Sequence, residues 1–329
     1  MSVLLPCRNA EDTLDAALES LVEQTLADFE IVVVDDGSND GTPGLLAAWA
    51  VRDGRVRLLR TPPHGIVSAL NTAAGLARGE LFARMDADDV AKPIRFERQV
   101  KFLEQHPGSA ACGTGIHYFP RSVVRDGARR YEKWINSVVT AEDIVRDLFV
   151  ECPIPHPTLM LRRAEFEQVG GYRDNGWPED YDLILRLWEA GKRLGKVPEK
   201  LLEWRESTAR LSRTDPRYGE AAFRRCKAHF LKTRIGGRRV VICGAGPVGK
   251  AFALALQAEE QAVTAFIDLD PRKIGQNIHG ARVIHPDVVG EFRDCYVLAA
   301  VGSAKGRAEV RQHLLRMGFR EPEEFCAVA

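Results

Sequence analysis

The sequence predicts an α/β protein with a mainly parallel, doubly wound sheet, followed by a second and smaller α/β unit. Short apolar runs alternate with helical patterns from residue 2 to residue 85, as is typical of parallel strands joined by crossover helices. A glycine-rich turn then opens a new strand-and-helix pattern near residue 240. At about 150 residues per domain, a chain of 329 residues accommodates two domains.

The N-terminal elements follow one another in a regular order. The expected strands cover residues 2–5, 30–34, 56–59 and 81–85, and the expected helices cover residues 10–24, 44–52 and 67–77. Ligands of such sheets bind beyond the carboxyl ends of the strands. The polar loops 6–9, 35–38 and 86–89 fall at those ends, so we expect them to converge.

The middle of the chain is more helical and completes a first domain at residues 1–233. It contains a helix from about residue 94, a mixed polar region to residue 140, a strand at 158–161, a loop at 203–219, and helices at 141–149, 163–169, 180–190 and 220–233. The glycines and charges of residues 234–239 indicate a linker. The second domain, residues 240–329, has expected strands at 240–243, 263–267, 282–284, 296–301 and 325–328, and helices that end at residue 259 and span 304–317.

The composition excludes several classes of function. Forty-six basic and 46 acidic residues cancel, so there is no electrostatic case for nucleic-acid binding. The seven cysteines are scattered singly, which fits reduced thiols better than disulfides or a zinc site. No apolar stretch reaches the ~18 residues of a membrane span. We expect a cytoplasmic protein, and leave open peripheral association with the inner face of the membrane and homo-oligomer formation.

Three carboxylates, Asp86, Asp88 and Asp89, directly follow the apolar strand at 81–85. Carboxylates two residues apart at a strand end can turn toward one hard cation, and Mg²⁺ is typically held by one or two carboxylates plus substrate phosphates. The alternative is an acidic surface turn in which Asp89 caps the next helix. Taken alone, the Asp-Ala-Asp sequence favours the turn.

A second acidic pair, Asp35 and Asp36, follows the apolar strand at 30–34. A loop carboxylate at this edge can accept hydrogen bonds from the N–H of a base or from ribose hydroxyls. The alternative is an Asx turn that closes the strand with Gly37 at positive φ. That alternative suits Asp35 alone better than it suits both aspartates.

Asp180 lies at the expected start of the helix at 180–190. An N-cap is the usual role of an aspartate at such a position. The alternative is a general base, which requires an ionised carboxylate within hydrogen-bond reach of the proton that it takes. Spacing alone does not decide between these two roles.

Taken together, the ordered motifs of this chain resemble those of family 2 glycosyltransferases. The matching segments are residues 3–9, 34–38, 65–71, 77–80, 85–89, 156–158, 169–172 and 178–182. They cover roughly residues 1–215. The combination of motifs is specific for the family, whereas each motif alone is a weak signal. The resemblance implies a GT-A fold, a nucleotide-diphosphate sugar donor, a Mg²⁺ or Mn²⁺ ion at the DXD motif, and inversion at the anomeric carbon.

The resemblance also implies roles for residues on the donor side. Asp36 would contact the nucleotide base, and Pro6 and Arg8 would line the nucleotide pocket. Asp86 would approach the ribose or the metal. Asp88 would ligate the metal.

On the acceptor side, the resemblance implies that Asp180 deprotonates the acceptor hydroxyl, with Glu179 beside it. A single displacement by that hydroxyl gives inversion, so the paired carboxylates of glycoside hydrolases are not required. His156 is either an acceptor contact or a packing residue before Pro157. The acceptor itself is expected to be a carbohydrate or a lipid-linked molecule.

The chain departs from the family in one loop. Many members have a histidine after the acceptor helix, whereas residues 204–213 contain none. Arg205, Arg210 or Arg213 could meet the diphosphate instead, since guanidinium groups suit phosphate oxygens. A solvated basic loop is the alternative.

The second domain carries a dinucleotide fingerprint, in which Gly244, Gly246 and Gly249 follow a predicted strand and open a helix, and Asp268 ends the next strand. Such glycines permit a tight turn and close phosphate approach, and the acid can bind ribose hydroxyls. This domain also resembles the small Rossmann-like domain at the N-terminus of bacterial sugar O-acyltransferases. That resemblance implies a bound nucleotide or nucleotide-sugar without redox chemistry, while an unliganded accessory domain is the alternative.

These observations favour an inverting, metal-dependent glycosyltransferase of the hexosyltransferase type, acting in the synthesis of cell-surface polysaccharide. The first alternative is an NAD(P)-dependent oxidoreductase that uses the glycine-rich unit. The second is a non-catalytic nucleotide-sugar-binding protein. The short C-terminal domain disfavours the oxidoreductase, and the intact Asp88 and Asp180 disfavour the non-catalytic protein.

Overall fold

The structure is a computed structural model that describes residues 1–208 and 210–329. The chain divides into two compact units. The first unit comprises residues 1–141, 153–175 and 179–214, and the second comprises residues 142–152, 176–178 and 215–329. The domain boundaries at residues 233 and 240 stay a prediction.

An eight-stranded sheet forms the first unit, in the order β3-β2-β1-β4-β7-β6-β8-β5. Its strands are β1 (Ser2–Cys7), β2 (Glu30–Asp36), β3 (Val56–Thr61), β4 (Leu81–Arg84), β5 (Val90–Ala91), β6 (Ser109–Phe119), β7 (Met160–Arg162) and β8 (Arg193–Arg205). All neighbouring pairs are parallel except those made by β7 and β5. The first four strands therefore end at one edge of the sheet, and β6 and β8 run in the same direction.

Helices cover the faces of this sheet. They are α1 (Leu14–Val22), α2 (Thr42–Arg52), α3 (Ile66–Leu76), α4 (Arg95–Gln105), α5 (Asp126–Ser137), α7 (Arg163–Gln168), α8 (Glu179–Glu189) and α9 (Leu211–Thr214); α6 (Ala141–Asp147) lies mainly in the second unit. Helix α1 buries Leu14, Leu18 and Leu21, which are three and four residues apart. All six residues of β1 are buried, as expected for a strand that is covered on both faces.

Pro6 lies in the central strand β1, where a proline would normally break the ladder. The carbonyl of Leu4 accepts a hydrogen bond from the N–H of Met85, so the backbone of Leu4 faces β4. Backbone groups of alternate residues in a strand point to the same side, so the backbone of Pro6 also faces β4. The pairing of β1 with β4 covers only residues 2–4, so it ends before Pro6. The missing N–H of Pro6 therefore costs no ladder hydrogen bond.

Two long strands were not predicted from the sequence. Strand β6 lies in the region that was expected to be mixed and polar, and β8 extends into residues 203–205, which were expected to begin a loop. Gly113 interrupts the apolar pattern of β6 because a Cβ there would lie 2.6 Å from Ile154 Cγ2. Pro198 interrupts β8 where its register against β6 shifts.

The second unit contains a six-stranded sheet in the order β11-β12-β10-β9-β13-β14. Its strands are β9 (Val240–Cys243), β10 (Val263–Ile267), β11 (Asn277–Ile278), β12 (Ala281–Ile284), β13 (Tyr296–Ala299) and β14 (Phe325–Ala327), and its helices are α10 (Glu220–Ile235), α11 (Pro247–Ala258) and α12 (Ala304–Arg316). Only the pair made by β11 is antiparallel. The predicted linker, residues 234–239, begins inside α10. Gly236, with φ +62°, caps the C-terminus of this helix.

The glycine-rich turn of the second unit has strict steric limits. Gly244 has φ +115°, and a Cβ on Gly249 would lie only 1.8 Å from the carbonyl oxygen of Gly244. We expect Gly249→Ala to lower the free energy of unfolding by about 1–3 kcal/mol, because backbone atoms must move. Gly290→Ala is the control, since its Cβ would lie at an ordinary 3.5 Å from Met317 Cε. Equal losses in urea unfolding of both variants would contradict this account.

Two further properties of the chain limit its chemistry. Burial raises the pKa of the Cys7 and Cys112 thiols to about 12, so neither thiol is a nucleophile near neutral pH. Among residues 1–208 and 210–329, no helix combines the length and the apolar character that crossing a bilayer requires.

Candidate functional site

Polar loops meet at the carboxyl edge of β1, β2 and β4. Parallel register brings Cys7 of β1 opposite Asp35 of β2, and Ser2–Leu4 opposite the residues of β4. The N–H of Asn9 donates to Ser38 Oγ at 2.9 Å, which joins the loops after β1 and β2. Arg8 is exposed in the first of these loops, whereas Pro6 is buried just before it. The expected convergence of the loops is therefore observed.

Asp35 and Asp36 bind backbone groups of this edge. Asp35 Oδ1 accepts from the N–H of Ser38 at 2.9 Å, three residues on rather than the two residues of the expected Asx turn, and φ of Gly37 is +70°. The carboxylate of Asp36 accepts from the N–H groups of His64 and Gly65 at 2.7 and 2.9 Å. Asp36 therefore fixes the loop after β3. Each carboxylate oxygen keeps a second lone pair for a ligand.

The acidic turn after β4 brings three carboxylates together. One oxygen from each of Asp86, Asp88 and Asp89 lies within 4.8 Å of the others. The expectation that Asp89 caps the next helix is wrong, because α4 begins at Arg95 after Ile94. Asp89 is instead fully buried, and its Oδ1 accepts from the N–H of Arg205 at 2.8 Å.

These carboxylates are in an environment that disfavours their own charge. Burial, and then the charge of Asp86, raise the pKa of Asp88 to about 6. Burial, followed by Asp86 and Asp88, raises the pKa of Asp89 well above its ordinary range. In the part of the chain that the structure describes, Asp89 Oδ2 has no hydrogen-bond partner. A divalent cation would remove this repulsion and satisfy the orphaned oxygen, so the donor set fits Mg²⁺ or Mn²⁺.

Two buried arginines lie behind the acidic turn. Arg84 Nη1 donates to Asp86 Oδ1 at 2.5 Å, which occupies one of the two oxygens of Asp86. Arg95 Nη2 donates to the carbonyl of Arg84 at 2.7 Å. Because Arg84 already neutralises Asp86, Asp88 and Asp89 are the more available carboxylates for a cation.

The arginines of the loop after β8 differ in their surroundings. Arg205 Nε donates to the carbonyl of Asp88 at 2.7 Å, and Arg213 pairs with Glu206. Arg210 is only 13% exposed, lies 3.3 Å from Glu206 and packs 4.4 Å from the ring centroid of Trp204. Burial and like charges raise the pKa values of Asp88 and Asp89, and the charge of Arg210 opposes this rise. Arg205 and Arg210 are therefore packed cations beside the acidic turn rather than parts of a solvated basic loop.

Glu179 and Asp180 begin helix α8. Glu179 is 1% exposed, and its Oε1 lies 3.8 Å from His156 Nδ1. Asp180 is half-buried at the second helical position, where its Oδ1 accepts from the N–H of Tyr181 at 2.7 Å. Asp180 is thus inside the first turn rather than at the N-cap.

His156 belongs to a buried polar chain that includes a residue not foreseen as functional. His156 Nε2 lies 2.9 Å from the hydroxyl of Tyr172. Burial, together with the nearby charge of Arg84, lowers the pKa of His156 well below its ordinary value, so the imidazole is neutral. Asn71 fixes Tyr172 by accepting from its N–H at 3.0 Å and donating to its carbonyl at 2.9 Å.

Arg84 links the acidic turn to the start of α8. Although burial opposes the charge of Arg84, its pKa is raised by Asp86, Tyr172 and Glu179. These groups therefore surround one guanidinium. The predicted donor-side and acceptor-side residues lie within electrostatic reach of each other, and Tyr172 and Arg84 connect them.

In the fingerprint of the second unit, the carboxylate of Asp268 binds other residues of the same unit. Asp268 Oδ2 accepts from the N–H of Ala245 at 2.8 Å and from Lys273 Nζ at 2.9 Å. Its Oδ1 accepts from the N–H of Asp270 at 2.9 Å. Asp268 therefore stabilises the glycine-rich turn, and its contact with a ribose stays a prediction.

Comparison with known proteins places this site in a sequence context. Residues 2–170 match the family model described as glycosyl transferase family 2. The chain is 32% identical over 213 residues to the putative glycosyltransferase EpsE of Bacillus subtilis, covering 63% of this chain and 73% of EpsE. It is 30% identical over 207 residues to the amylovoran biosynthesis glycosyltransferase AmsE of Erwinia amylovora, covering 62% and 75%.

Solved structures share the fold at low sequence identity. S. aureus TarS 1–349 in complex with UDP-GlcNAc superposes with a TM-score of 0.56 and 19% identity, over 70% of this chain and 66% of that one. The mannosyltransferase PcManGT of Pyrobaculum calidifontis, in complex with GDP-Man and Mn²⁺, has a TM-score of 0.50 and 23% identity, over 78% and 68%.

Proposed function

The chain belongs to glycosyl transferase family 2, and we propose that it is a metal-dependent, inverting enzyme. It moves a sugar from a nucleotide-diphosphate donor to a hydroxyl group of a carbohydrate or lipid-linked acceptor. The observation that carries this proposal is the acidic turn, where Asp86, Asp88 and Asp89 converge and one buried oxygen of Asp89 lacks a partner. Such a set of oxygen ligands suits a hard cation that also binds phosphate.

On the donor side, Asp88 is the principal metal ligand and Asp86 assists it or contacts the ribose. A bound Mg²⁺ or Mn²⁺ ion offsets the charge on the departing diphosphate. Asp36 contacts the base, and Pro6 and Arg8 line the nucleotide pocket. These roles are supported by the convergence of the three loops at one edge of the sheet.

Asp89 and Arg210 complete the donor side of the proposal. The buried oxygen of Asp89 gives the cation a further carboxylate ligand. Arg210 provides a guanidinium for the diphosphate, in place of the histidine that residues 204–213 lack, because its charge acts on Asp88 and Asp89 whereas Arg205 already donates to the carbonyl of Asp88.

On the acceptor side, Asp180 takes the proton of the attacking hydroxyl. The acceptor oxygen bonds to the anomeric carbon while the bond from that carbon to the diphosphate oxygen breaks, so the configuration inverts. Glu179 and neutral His156 line the acceptor side without taking the proton. Asp180 is half-buried in the first turn of α8, so its carboxylate is not enclosed by the fold and can be reached by an acceptor hydroxyl.

The names of the relatives suggest a place for this reaction. AmsE is named for amylovoran biosynthesis, and the TarS and PcManGT structures hold UDP-GlcNAc and GDP-Man. We therefore propose that the chain uses a nucleotide-sugar donor in cell-surface polysaccharide synthesis. We also propose that it acts at the inner face of the membrane. The glycine-rich turn of the second unit is proposed to bind a nucleotide or nucleotide-sugar, with Gly244, Gly246, Gly249 and Asp268 around it.

The experiment that tests this function is a panel of nucleotide sugars. The full chain is incubated with each sugar in Mn²⁺, in Mg²⁺ and in EDTA, and release of the nucleoside diphosphate is measured. We expect metal-dependent release from at least one donor. A wild-type protein that neither turns over nor binds any donor in a metal-dependent way would overturn the proposal.

A further inference from the structure

An open basic groove lies beside the end of β6 in the first unit. Its cavity has a volume of about 330 Å³ and is lined by residues of α5, by Lys200 of β8 and by Arg121, which lies two residues after β6. Four lining side chains are cations, Arg121, Arg129, Lys133 and Lys200, and among the described lining residues Glu132 is the only carboxylate. The whole chain has no net charge, so this excess of positive charge is a local feature.

Glu132 does not neutralise the groove, because its carboxylate is already used. It accepts from two guanidinium nitrogens of Arg121 at 2.6 and 3.0 Å. The ammonium groups of Lys133 and Lys200, by contrast, have no ion-pair or hydrogen-bond partner within residues 1–208 and 210–329, and both side chains are exposed. Uncompensated cations around one cavity repel each other, so the groove favours an anionic ligand.

Hydrogen bonds hold the walls of the groove in place. Asn136 of α5 accepts from the N–H of Ile116 at 2.8 Å and donates to the carbonyl of Ile116 at 2.9 Å. Gly115 permits this approach, since a Cβ there would lie 3.0 Å from Asn136 Oδ1. A preformed groove loses less conformational freedom on binding than a flexible one does.

The sheet order places the groove at the same edge of the sheet as the acidic turn of the transferase site. Strands β2 and β1 carry the nucleotide-side loops, β4 carries the acidic turn, and β7, β6 and β8 follow in that order. Because β7 is antiparallel to both β4 and β6, the carboxyl ends of β4 and β6 lie at the same edge. Contacts also join the two regions: Arg210 packs 5.7 Å from the ring centroid of Tyr118, whose N–H donates to Glu132.

We propose that this groove binds a phosphate or diphosphate group carried by the acceptor. The inference rests on the proposed transferase function, and it narrows the acceptor from any carbohydrate to a phosphate-bearing molecule. Lys133 and Lys200 supply point charges for the phosphate oxygens, and Arg129 adds a third cation at the rim. The acceptor then extends along the sheet edge from the base Asp180 to the end of β6.

The first test measures binding of inorganic pyrophosphate to the full chain by calorimetry in EDTA, which keeps metal away from the acidic turn. We expect wild type to bind and the double variant Lys133→Glu/Lys200→Glu to bind about tenfold more weakly. The double variant Lys133→Arg/Lys200→Arg should bind like wild type. Lys101→Glu, a single charge reversal at an exposed lysine of α4 outside the groove, is the control. No wild-type binding, or equal binding by both charge-reversal variants, overturns the proposal.

A second test separates an acceptor phosphate from a lipid headgroup and from failure of the donor site. Flotation with phosphatidylglycerol vesicles, compared with phosphatidylcholine vesicles, measures binding of the chain to an anionic lipid headgroup. Binding to these anionic vesicles without binding to pyrophosphate would indicate general membrane contact and overturn the acceptor subsite. The groove variants should keep metal-dependent nucleoside diphosphate binding. If wild type lacks metal-dependent nucleotide binding, the proposed function fails. If nucleotide binding is intact but the variant Lys133→Glu/Lys200→Glu binds pyrophosphate as tightly as wild type, only the groove proposal is overturned.

Discussion

Asp180→Asn is expected to abolish sugar transfer and to leave the donor bound as tightly as in wild type. The amide cannot accept the proton of the acceptor hydroxyl, and a general base contributes about 10²- to 10⁴-fold to a rate. Asp180 lies at the start of α8 beside Glu179 and is not one of the three carboxylates of the acidic turn that is proposed to hold the metal. The change should therefore lower kcat for transfer while the Kd of the nucleotide is unchanged.

The measurement is transfer to an acceptor, alongside calorimetric titration of the nucleoside diphosphate. Glu104→Gln provides a control for the loss of one carboxylate, since Glu104 is an exposed residue on α4. Transfer by Asp180→Asn at the wild-type rate would show that another group is the base. Loss of nucleotide binding together with transfer would show that Asp180 acts on the donor side.

Asp88→Asn is expected to remove the metal-dependent part of nucleoside diphosphate binding. An amide oxygen carries no net charge, and even partners that only orient a metal ligand are worth about 10- to 100-fold in affinity, so loss of a direct ligand should cost more than about 100-fold. Removing a charge from the acidic turn also relieves the burial cost and the repulsion that together raise the pKa values of Asp88 and Asp89. The variant should therefore fold at least as stably as wild type without metal.

Titration with Mn²⁺ and a nucleoside diphosphate, together with thermal unfolding in EDTA, measures both expectations. Asp28→Asn is the matched control, because Asp28 is exposed and precedes β2 at the opposite edge of the sheet. Unchanged Mn²⁺ dependence in Asp88→Asn would remove Asp88 as a ligand. A variant that is much less stable in EDTA would show that the Asp88 carboxylate serves the fold instead.

The core of the first unit could be predicted because its signals are local. The apolar runs of β1 and β2 are short and rich in branched residues, that of β4 is short and apolar, and acidic residues end β2 and follow closely after β4. The predicted α/β class and GT-A fold are confirmed by the family match and by the TarS structure. Parallel order then places the loop carboxylates at one edge without further information.

Other parts of the fold could not be predicted because distant residues determine them. Gly113 marks β6 only when Ile154 is known to pack against it, and Pro198 is tolerated in β8 only at a change of register. Asp89 had the sequence of a helix cap, but its partner is the backbone of Arg205, 116 residues away. Local pattern contains no signal for such a contact.

The candidate site shows the same limit. Tyr172 could have been suspected from its place in a family motif, yet its hydrogen bond with His156 depends on burial of both side chains. Arg84 reads as the last residue of an apolar strand, and only the structure places its guanidinium among Asp86, Tyr172 and Glu179.

The most direct test of the central claim is a crystal structure of the full chain with a nucleoside diphosphate and Mn²⁺. Our account predicts the nucleotide at the carboxyl edge of β1, β2 and β4, where Asp88 would hold Mn²⁺ beside the diphosphate. The base should lie beside Asp36. A nucleotide found only at the glycine-rich turn of the second unit, with the acidic turn free of metal, would contradict the account.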